Sequence, residues 1–150
     1  MNNIKAVIFD WGRTIYDKDH EQLFPDTKST LEFLFAKYRL YIVSLAIDDD
    51  IEGRFGLLDK FKIRQYFKFS LFHLSDKDTL FRNVAGNLNI PYNQIAIVDD
   101  RTIRGIKWGN SKGCLTVWLQ KGKFASEHPN EETGEPNYII KELSELKRIL

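Results

Sequence analysis

Short apolar runs alternate with longer amphipathic stretches along the whole chain. Five runs predict β-strands, at residues 7–9, 40–43, 67–72, 95–98 and 114–119. Brief continuous runs of this kind are typical of strands buried on both faces of a parallel sheet. Tyr138-Ile139-Ile140 is a further apolar run, which we expect to return to the core.

The stretches between these runs place apolar residues at helical spacing. Helices are predicted at about 27–38, 47–60, 75–88, 102–110 and 143–150, with a further helical turn within 61–66. Strands that alternate with helices through short connections predict an α/β fold, with a mostly parallel sheet of about five strands and helices on both faces. Residues 120–137 are polar and predict a long exposed loop, a type of segment that tends to be mobile or functional.

Composition narrows the class of protein. The 150 residues suit one domain, which we assign to 1–150, and 43% hydrophobic residues indicate a packed globule. With 22 basic and 21 acidic residues, no global field favours nucleic acid or an anionic membrane. The single cysteine, Cys114, excludes an internal disulfide, and no apolar run is long enough for a signal core or a membrane span. We therefore expect a cytoplasmic protein.

Polar side chains stand where the predicted strands end. Asp10 follows the first strand, Ser44 the second, and Asp99 with Asp100 the fourth, while Lys77 begins the helix after the third. The carboxyl ends of parallel strands meet at one edge of a sheet, where ligands bind in open α/β folds. These five side chains are predicted to lie close together.

This combination suits phosphoryl chemistry. Carboxylates from two strands can share Mg²⁺, which prefers oxygen ligands. A hydroxyl at Ser44 and an ammonium at Lys77 would bind phosphoryl oxygens, which leaves Asp10 as a nucleophile toward phosphorus. By itself, Asp10 could equally be a turn residue that ends a strand. Ser44, Lys77 and the Asp99-Asp100 pair favour a functional site over a turn residue at Asp10.

The ordered set resembles the haloacid dehalogenase (HAD) superfamily of phosphohydrolases, from about Ile4 to Val117. The resemblance implies a HAD-like Rossmannoid three-layer sandwich. It also implies roles for individual residues. Asp10 would be the nucleophile and a metal ligand, Thr14 the loop threonine that binds phosphate, and Ser44 the phosphate-binding hydroxyl. Lys77 would be catalytic and bind phosphate, and Asp100 would bind the metal together with Asp99, which stands where the family has Gly or Asp.

Two residues depart from the family's pattern. Gly12 stands where the usual second Asp serves as general acid and base, and Arg104 where a further acid is usual. At a separation of ~4 Å and an effective dielectric constant near 20, each charge contributes about 4 kcal/mol before screening. We therefore expect weak Mg²⁺ binding. Arg104 either binds phosphate oxygens, which suit a guanidinium, or belongs to an exposed basic face with Arg101 and Lys107.

The connections within this motif set are short. Between Asp10 and Ser44 lie 33 residues, and between Ser44 and Lys77 lie 32, too few for an inserted cap domain. The resemblance then implies an open, capless site, of a kind that often acts on phosphate groups of macromolecules or gains a lid by oligomerising. The loop at 121–136 either folds over this edge or stays a surface loop.

The sequence favours a Mg²⁺-assisted phosphatase that forms an aspartyl-phosphate at Asp10. Loss of general acid–base help typically lowers a rate roughly 10²–10⁴-fold. Because Gly12 cannot supply that help, we expect a slow or specialised enzyme. The alternative is a catalytically degenerate module of the same fold that binds phosphate or another protein.

Overall fold

The computed structural model describes residues 3–46, 51–73 and 76–150. Over this part of the chain, six strands form one parallel sheet and two short strands form a separate antiparallel hairpin. In chain order the strands are β1 (Ala6–Phe9), β2 (Tyr16–Asp17), β3 (Gln22–Leu23), β4 (Arg39–Leu45), β5 (Phe67–His73), β6 (Ile95–Asp99), β7 (Leu115–Leu119) and β8 (Tyr138–Ile140). The hairpin consists of β2 and β3.

The order of the sheet is β5-β4-β1-β6-β7-β8. The chain leaves β1 toward β4 and β5, then crosses back to β6 on the other side of β1. Such a reversal creates a crevice at the carboxyl ends of the central strands, where open α/β folds bind ligands. The strands on either side of β1 are those that carry Ser44 and Asp99 at their carboxyl ends.

Helices cover both faces of the sheet. They are α1 (Thr27–Phe35), α2 (Ile51–Lys60), α3 (Lys77–Leu88), α4 (Lys107–Lys112) and α5 (Leu146–Ile149). One core joins Val7 and Phe9 of β1 to α1, α2 and α5, whereas a second core joins Ala6 and Ile8 to α3 and α4. Successive side chains of β1 therefore face opposite cores, which explains its continuous apolar sequence. The predicted α/β sandwich of three layers is confirmed.

Several elements differ from the sequence prediction. Residues 138–140 form a sixth strand, parallel to β7, in addition to the predicted five. Residues 102–106 form a π-helical turn before α4 begins, and the closing helix is reduced to a short 3-10 turn followed by α5. The hairpin at 16–23 was not predicted, because each of its strands has only two residues and no alternating apolar pattern. Residues 47–50 and 75, which we predicted to begin α2 and α3, lie outside the described residues.

The described residues form no cap domain separate from the sheet and its helices, as predicted. None of their helices is long and apolar enough to cross a membrane.

Candidate active site

Asp10 lies directly after β1, in the middle of the sheet, and is held on three sides. Its backbone N–H donates to the carbonyl of Val98, with 3.0 Å between nitrogen and oxygen. The ammonium of Lys77 lies 2.9 Å from Oδ1, and the hydroxyl of Thr14 donates to Oδ2 over 3.4 Å. The carboxylate is thus fixed at the edge of the sheet, as a nucleophile requires.

Lys77 links the two carboxylates on either side of it. Its Nζ is 2.9 Å from Asp10 Oδ1 and 2.8 Å from Asp99 Oδ2, and the side chain is 4% exposed. Burial by itself would lower the pKa of this ammonium, but the charges of Asp10 and Asp99 raise its pKa above the ordinary value. Both carboxylates thus favour the charged form of Lys77, and its predicted catalytic role stays a prediction.

Asp99 is fully buried, and hydrogen-bond donors occupy both of its oxygens. Oδ1 accepts from the backbone N–H of Arg101, and Oδ2 accepts from Lys77 and from the backbone N–H of Gly105. A Cβ at position 105 would lie 2.5 Å from Oδ2, so only glycine permits this close approach. In this arrangement Asp99 positions Lys77 and the following turn, and its predicted contact with a metal stays a prediction.

Asp100 presents its carboxyl group to the same edge. The indole N–H of Trp118 donates to the backbone carbonyl of Asp100 over 2.9 Å, which fixes its main chain. Burial raises the pKa of this carboxyl to about 10, with further increases from the charges of Asp10 and Asp99. Three acidic groups thus share a buried space with one lysine.

The three carboxylates fit a divalent cation in kind and spacing. One oxygen from each of Asp10, Asp99 and Asp100 lies within 4.8 Å of the others. Carboxylate oxygens are the ligands that Mg²⁺ prefers, and a cation would relieve the mutual repulsion that raises the pKa of Asp100. Asp10 and Asp100 are better placed than Asp99 to bind a cation, because both line the cleft that opens over this edge of the sheet.

A cleft of about 570 Å³ opens over these residues. Its charged and hydroxyl-bearing lining combines predicted and unpredicted side chains and includes Asp10, Arg13, Lys18, Glu21, Ser44, Arg54, Asp100, Arg101 and Arg104. Of the predicted residues, Thr14, Lys77 and Asp99 are buried and do not line it. Thr14 contacts Asp10 instead, so its direct contact with phosphate stays a prediction.

Arg54 is a residue of this site that sequence analysis missed. It lies in α2, is 7% exposed, and donates from Nη1 to the Ser44 hydroxyl over 2.7 Å. A guanidinium beside the hydroxyl gives this wall of the cleft a positive charge that suits an anion. No local pattern marks it, because an arginine in an amphipathic helix ordinarily faces solvent.

The loop after β7 forms another wall, so the predicted loop at 121–136 does fold over this edge. Phe124 lines the cleft, and the guanidinium of Arg101 lies 3.8 Å from the centre of its ring. Glu127 holds the loop in place by accepting from the Arg101 side chain, the Thr102 hydroxyl and the Ile103 N–H. Packing of this loop depends on tertiary contacts that its polar composition does not reveal.

Gly12 lies at the cleft with open space beside it. A Cβ at this position would have no atom of a non-neighbouring residue within 4 Å. The backbone therefore tolerates a side chain there, and no described contact requires the glycine. Position 12 leaves the cleft without the acid that the HAD resemblance leads one to expect.

Comparison with family models and with curated proteins finds no match to this chain. Solved structures do match it over nearly its whole length. A putative HAD-hydrolase, YfnB, from Bacillus subtilis, solved bound to magnesium, is 15% identical with a TM-score of 0.80, covering 97% of this chain and 98% of that one.

Two other solved structures have a similar fold. A haloacid dehalogenase-like hydrolase, SP0104, from Streptococcus pneumoniae is 16% identical with a TM-score of 0.79, and 99% of each chain is covered. An L-2-haloacid dehalogenase from Xanthobacter autotrophicus, with chloropropionic acid covalently bound, is 10% identical with a TM-score of 0.78, covering 97% of this chain and 98% of that one. The chain therefore has the fold of the haloacid dehalogenase-like hydrolases.

Proposed function

We propose that this chain is a hydrolase of the haloacid dehalogenase superfamily and acts as a Mg²⁺-assisted phosphatase. The observation that carries the proposal is the position of Asp10. Its carboxylate faces the cleft, is held by Lys77 at 2.9 Å, and shares that cleft with Ser44 and Asp100. A carboxylate fixed beside hydroxyl and cationic groups suits attack on a phosphoryl group.

In the proposed first step, an oxygen of Asp10 attacks phosphorus and the bond from phosphorus to the leaving alcohol breaks. Ser44 and Arg54 would donate to the phosphoryl oxygens, while Lys77 would hold the carboxylate in line and offset its charge. Mg²⁺ held by Asp10 and Asp100 would supply further positive charge at the phosphoryl group. The leaving oxygen takes its proton from water or from the substrate, because Gly12 offers none.

In the second step, water attacks phosphorus of the aspartyl-phosphate. Inorganic phosphate leaves, and the Asp10 carboxylate is restored. A missing general acid and base slows both steps, typically by roughly 10²–10⁴-fold. The proposal therefore predicts a low rate on simple phosphoesters, and a higher rate on a substrate whose own acidic group assists the proton transfer.

A second candidate, a non-catalytic phosphate-binding module, is favoured by one specific observation. Position 12 has no acidic side chain, although the open space beside it would accommodate an aspartate. The same cleft could then hold phosphate without hydrolysing its ester, while Asp10 and Lys77 would serve as a buried ion pair.

The two candidates differ in the release of inorganic phosphate. We would compare wild type with Asp10→Asn on a panel of phosphomonoesters, with Mg²⁺ or with EDTA, and add 2-haloacids to test for halide release. Phosphate release that requires Asp10 and Mg²⁺ is expected from the phosphatase. Phosphate binding without Asp10-dependent turnover would favour the module, and halide release without phosphate release would assign carbon, not phosphorus, as the atom attacked.

A further inference from the structure

Arg104 differs from the two basic residues that flank it at three-residue spacing. The guanidinium of Arg101 pairs with Glu127 at 2.9 Å, and the ammonium of Lys107 pairs with Glu132 at 2.7 Å. Arg104 is half-buried and lines the cleft, yet its guanidinium has no ion pair or hydrogen bond with any residue that the structure describes. The three residues therefore do not form one exposed basic face, and Arg104 is the member that meets the cleft without a protein partner.

Arg13 supplies a second cation to the cleft. One end of its guanidinium pairs with Asp19 at 3.1 Å, and the group lies 5.7 Å from the ring of Phe124. Its Nε is buried and has no acceptor among the described residues. Arg13 nevertheless lines the cleft with a side chain that is 18% exposed, so the accessible part of its guanidinium can meet an anion bound there.

Among the residues that the structure describes, the acids that line the cleft form no ion pair with Arg104. Asp10 is already paired with Lys77, which lies behind the cleft, and Asp100 stands with Asp10 at the proposed metal site. Glu21 also lines the cleft, but it belongs to the β2–β3 hairpin, which also brings the exposed Lys18 to the same lining. Within the described part of the chain, the Arg104 guanidinium therefore lacks a counter-charge when Asp10 and Asp100 are assigned to the phosphoryl and metal site.

The volume of the cleft suits a small-molecule ligand. Its volume of about 570 Å³ lies within the usual range for small-molecule sites. A phosphoryl group at Asp10 and Ser44 fills only part of this space, and Arg101, Arg104 and Phe124 line more of it. The remaining space suits a short organic group that ends in a negative charge.

We propose that the substrate is a small phosphomonoester with a second anionic group, a carboxylate or a second phosphate, which Arg104 and Arg13 bind. This inference rests on the proposed phosphatase function for the position of the first phosphoryl group. Guanidinium groups bind both kinds of anion through paired N–H donors, so the two sources share one recognition chemistry. The proposed ligand is therefore a small molecule with two anionic groups, in place of the phosphate groups of macromolecules that the HAD resemblance implies.

The test uses pairs of compounds that differ only in the second charge. One pair is 3-phosphoglycerate and glycerol 3-phosphate, and another is propane-1,3-diol bisphosphate and its monophosphate. Equilibrium binding to the Asp10→Asn protein measures recognition without turnover, and kcat/KM of the wild type measures it during catalysis. We expect the member that carries the second anionic group to be favoured, in at least one pair, by roughly 10- to 100-fold, the range for a hydrogen bond to a charged group.

Substitutions of Arg104 test whether its guanidinium causes this preference for the second anionic group. In Arg104→Gln the ratio between the two members should fall to near one, Arg104→Lys should keep part of it, and Lys107→Gln, whose partner lies outside the cleft, should keep all of it. Equal binding of both members of every pair, or a preference that survives Arg104→Gln, would overturn the inference. Absence of turnover with the charge preference still present in binding would refute the phosphatase and leave this subsite standing.

Discussion

At the scale of single residues, the site is set by how buried charges are partnered. Lys77 bridges Asp10 and Asp99, and the backbone N–H groups of Arg101 and Gly105 complete the partners of Asp99. Breaking a buried pair costs far more than an exposed pair contributes, because the remaining charge stays out of water. The stability of the fold and the orientation of the Asp10 carboxylate therefore depend on the same lysine.

Replacing Lys77 with Met should destabilise the fold by about 3–5 kcal/mol, because Asp10 and Asp99 would lose their buried counter-charge. Urea denaturation measures the change in the free energy of unfolding. Lys107→Met is the matched control, since it removes an ion pair to the exposed Glu132 and should change stability little. Equal effects of the two substitutions would show that Lys77 is not an electrostatic anchor.

Gly12→Asp should raise phosphatase turnover by about tenfold or more, because it returns an acid and base to the cleft. The open space at this position means that the thermal midpoint of unfolding should stay close to that of wild type. Gly86→Asp adds the same side chain on α3, also with nothing within 4 Å, and should leave turnover unchanged. A Gly12→Asp protein that folds normally and gains no activity would contradict the account of slow catalysis.

At the scale of elements, the loop after β7 replaces part of what a cap would supply. Phe124 brings an aromatic wall to the cleft, and Glu127 ties the loop to the turn that follows β6. The loop thus forms a wall of the cleft without an inserted domain. The Glu127 carboxylate, with several donors, is one of the groups that hold this loop.

Glu127→Gln should loosen this loop and lower stability at neutral pH. Burial by itself raises the pKa of Glu127, but hydrogen bonds from Arg101 and Ile103 outweigh it and bring the pKa below 4.5. The stabilisation is therefore fully present above the unfolded pKa of 4.5 and is lost as pH falls through the folded pKa.

Denaturation curves of wild type and Glu127→Gln should accordingly converge as the pH is lowered well below 4.5. Glu132→Gln, which removes an exposed pair elsewhere in the same loop, is the control and should have a smaller effect at neutral pH. A gap between wild type and Glu127→Gln that stays constant with pH would mean that its charge does not hold the loop.

At the scale of the whole molecule, topology converts distant residues into one site. Asp10, Ser44 and Asp100 were predicted to converge because they follow apolar runs that could only be buried strands, and the cleft brings all three together. Arg54 and Phe124 were missed, because a helix arginine and a loop phenylalanine have no local pattern that fixes where they point. The Thr14 hydroxyl donates to Asp10, a contact that depends on the path of the loop, and its predicted contact with phosphate stays a prediction.

The most direct test of the central claim, that Asp10 is a nucleophile toward phosphorus, is to trap the aspartyl-phosphate. Wild type and Asp10→Asn would be incubated with acetyl phosphate and Mg²⁺, quenched in acid, digested and analysed by mass spectrometry. The account predicts a phosphoryl group on the wild-type peptide that contains Asp10, removable by hydroxylamine and absent from Asp10→Asn. Phosphate release by the wild type with no such adduct, or an adduct retained in Asp10→Asn, would contradict it.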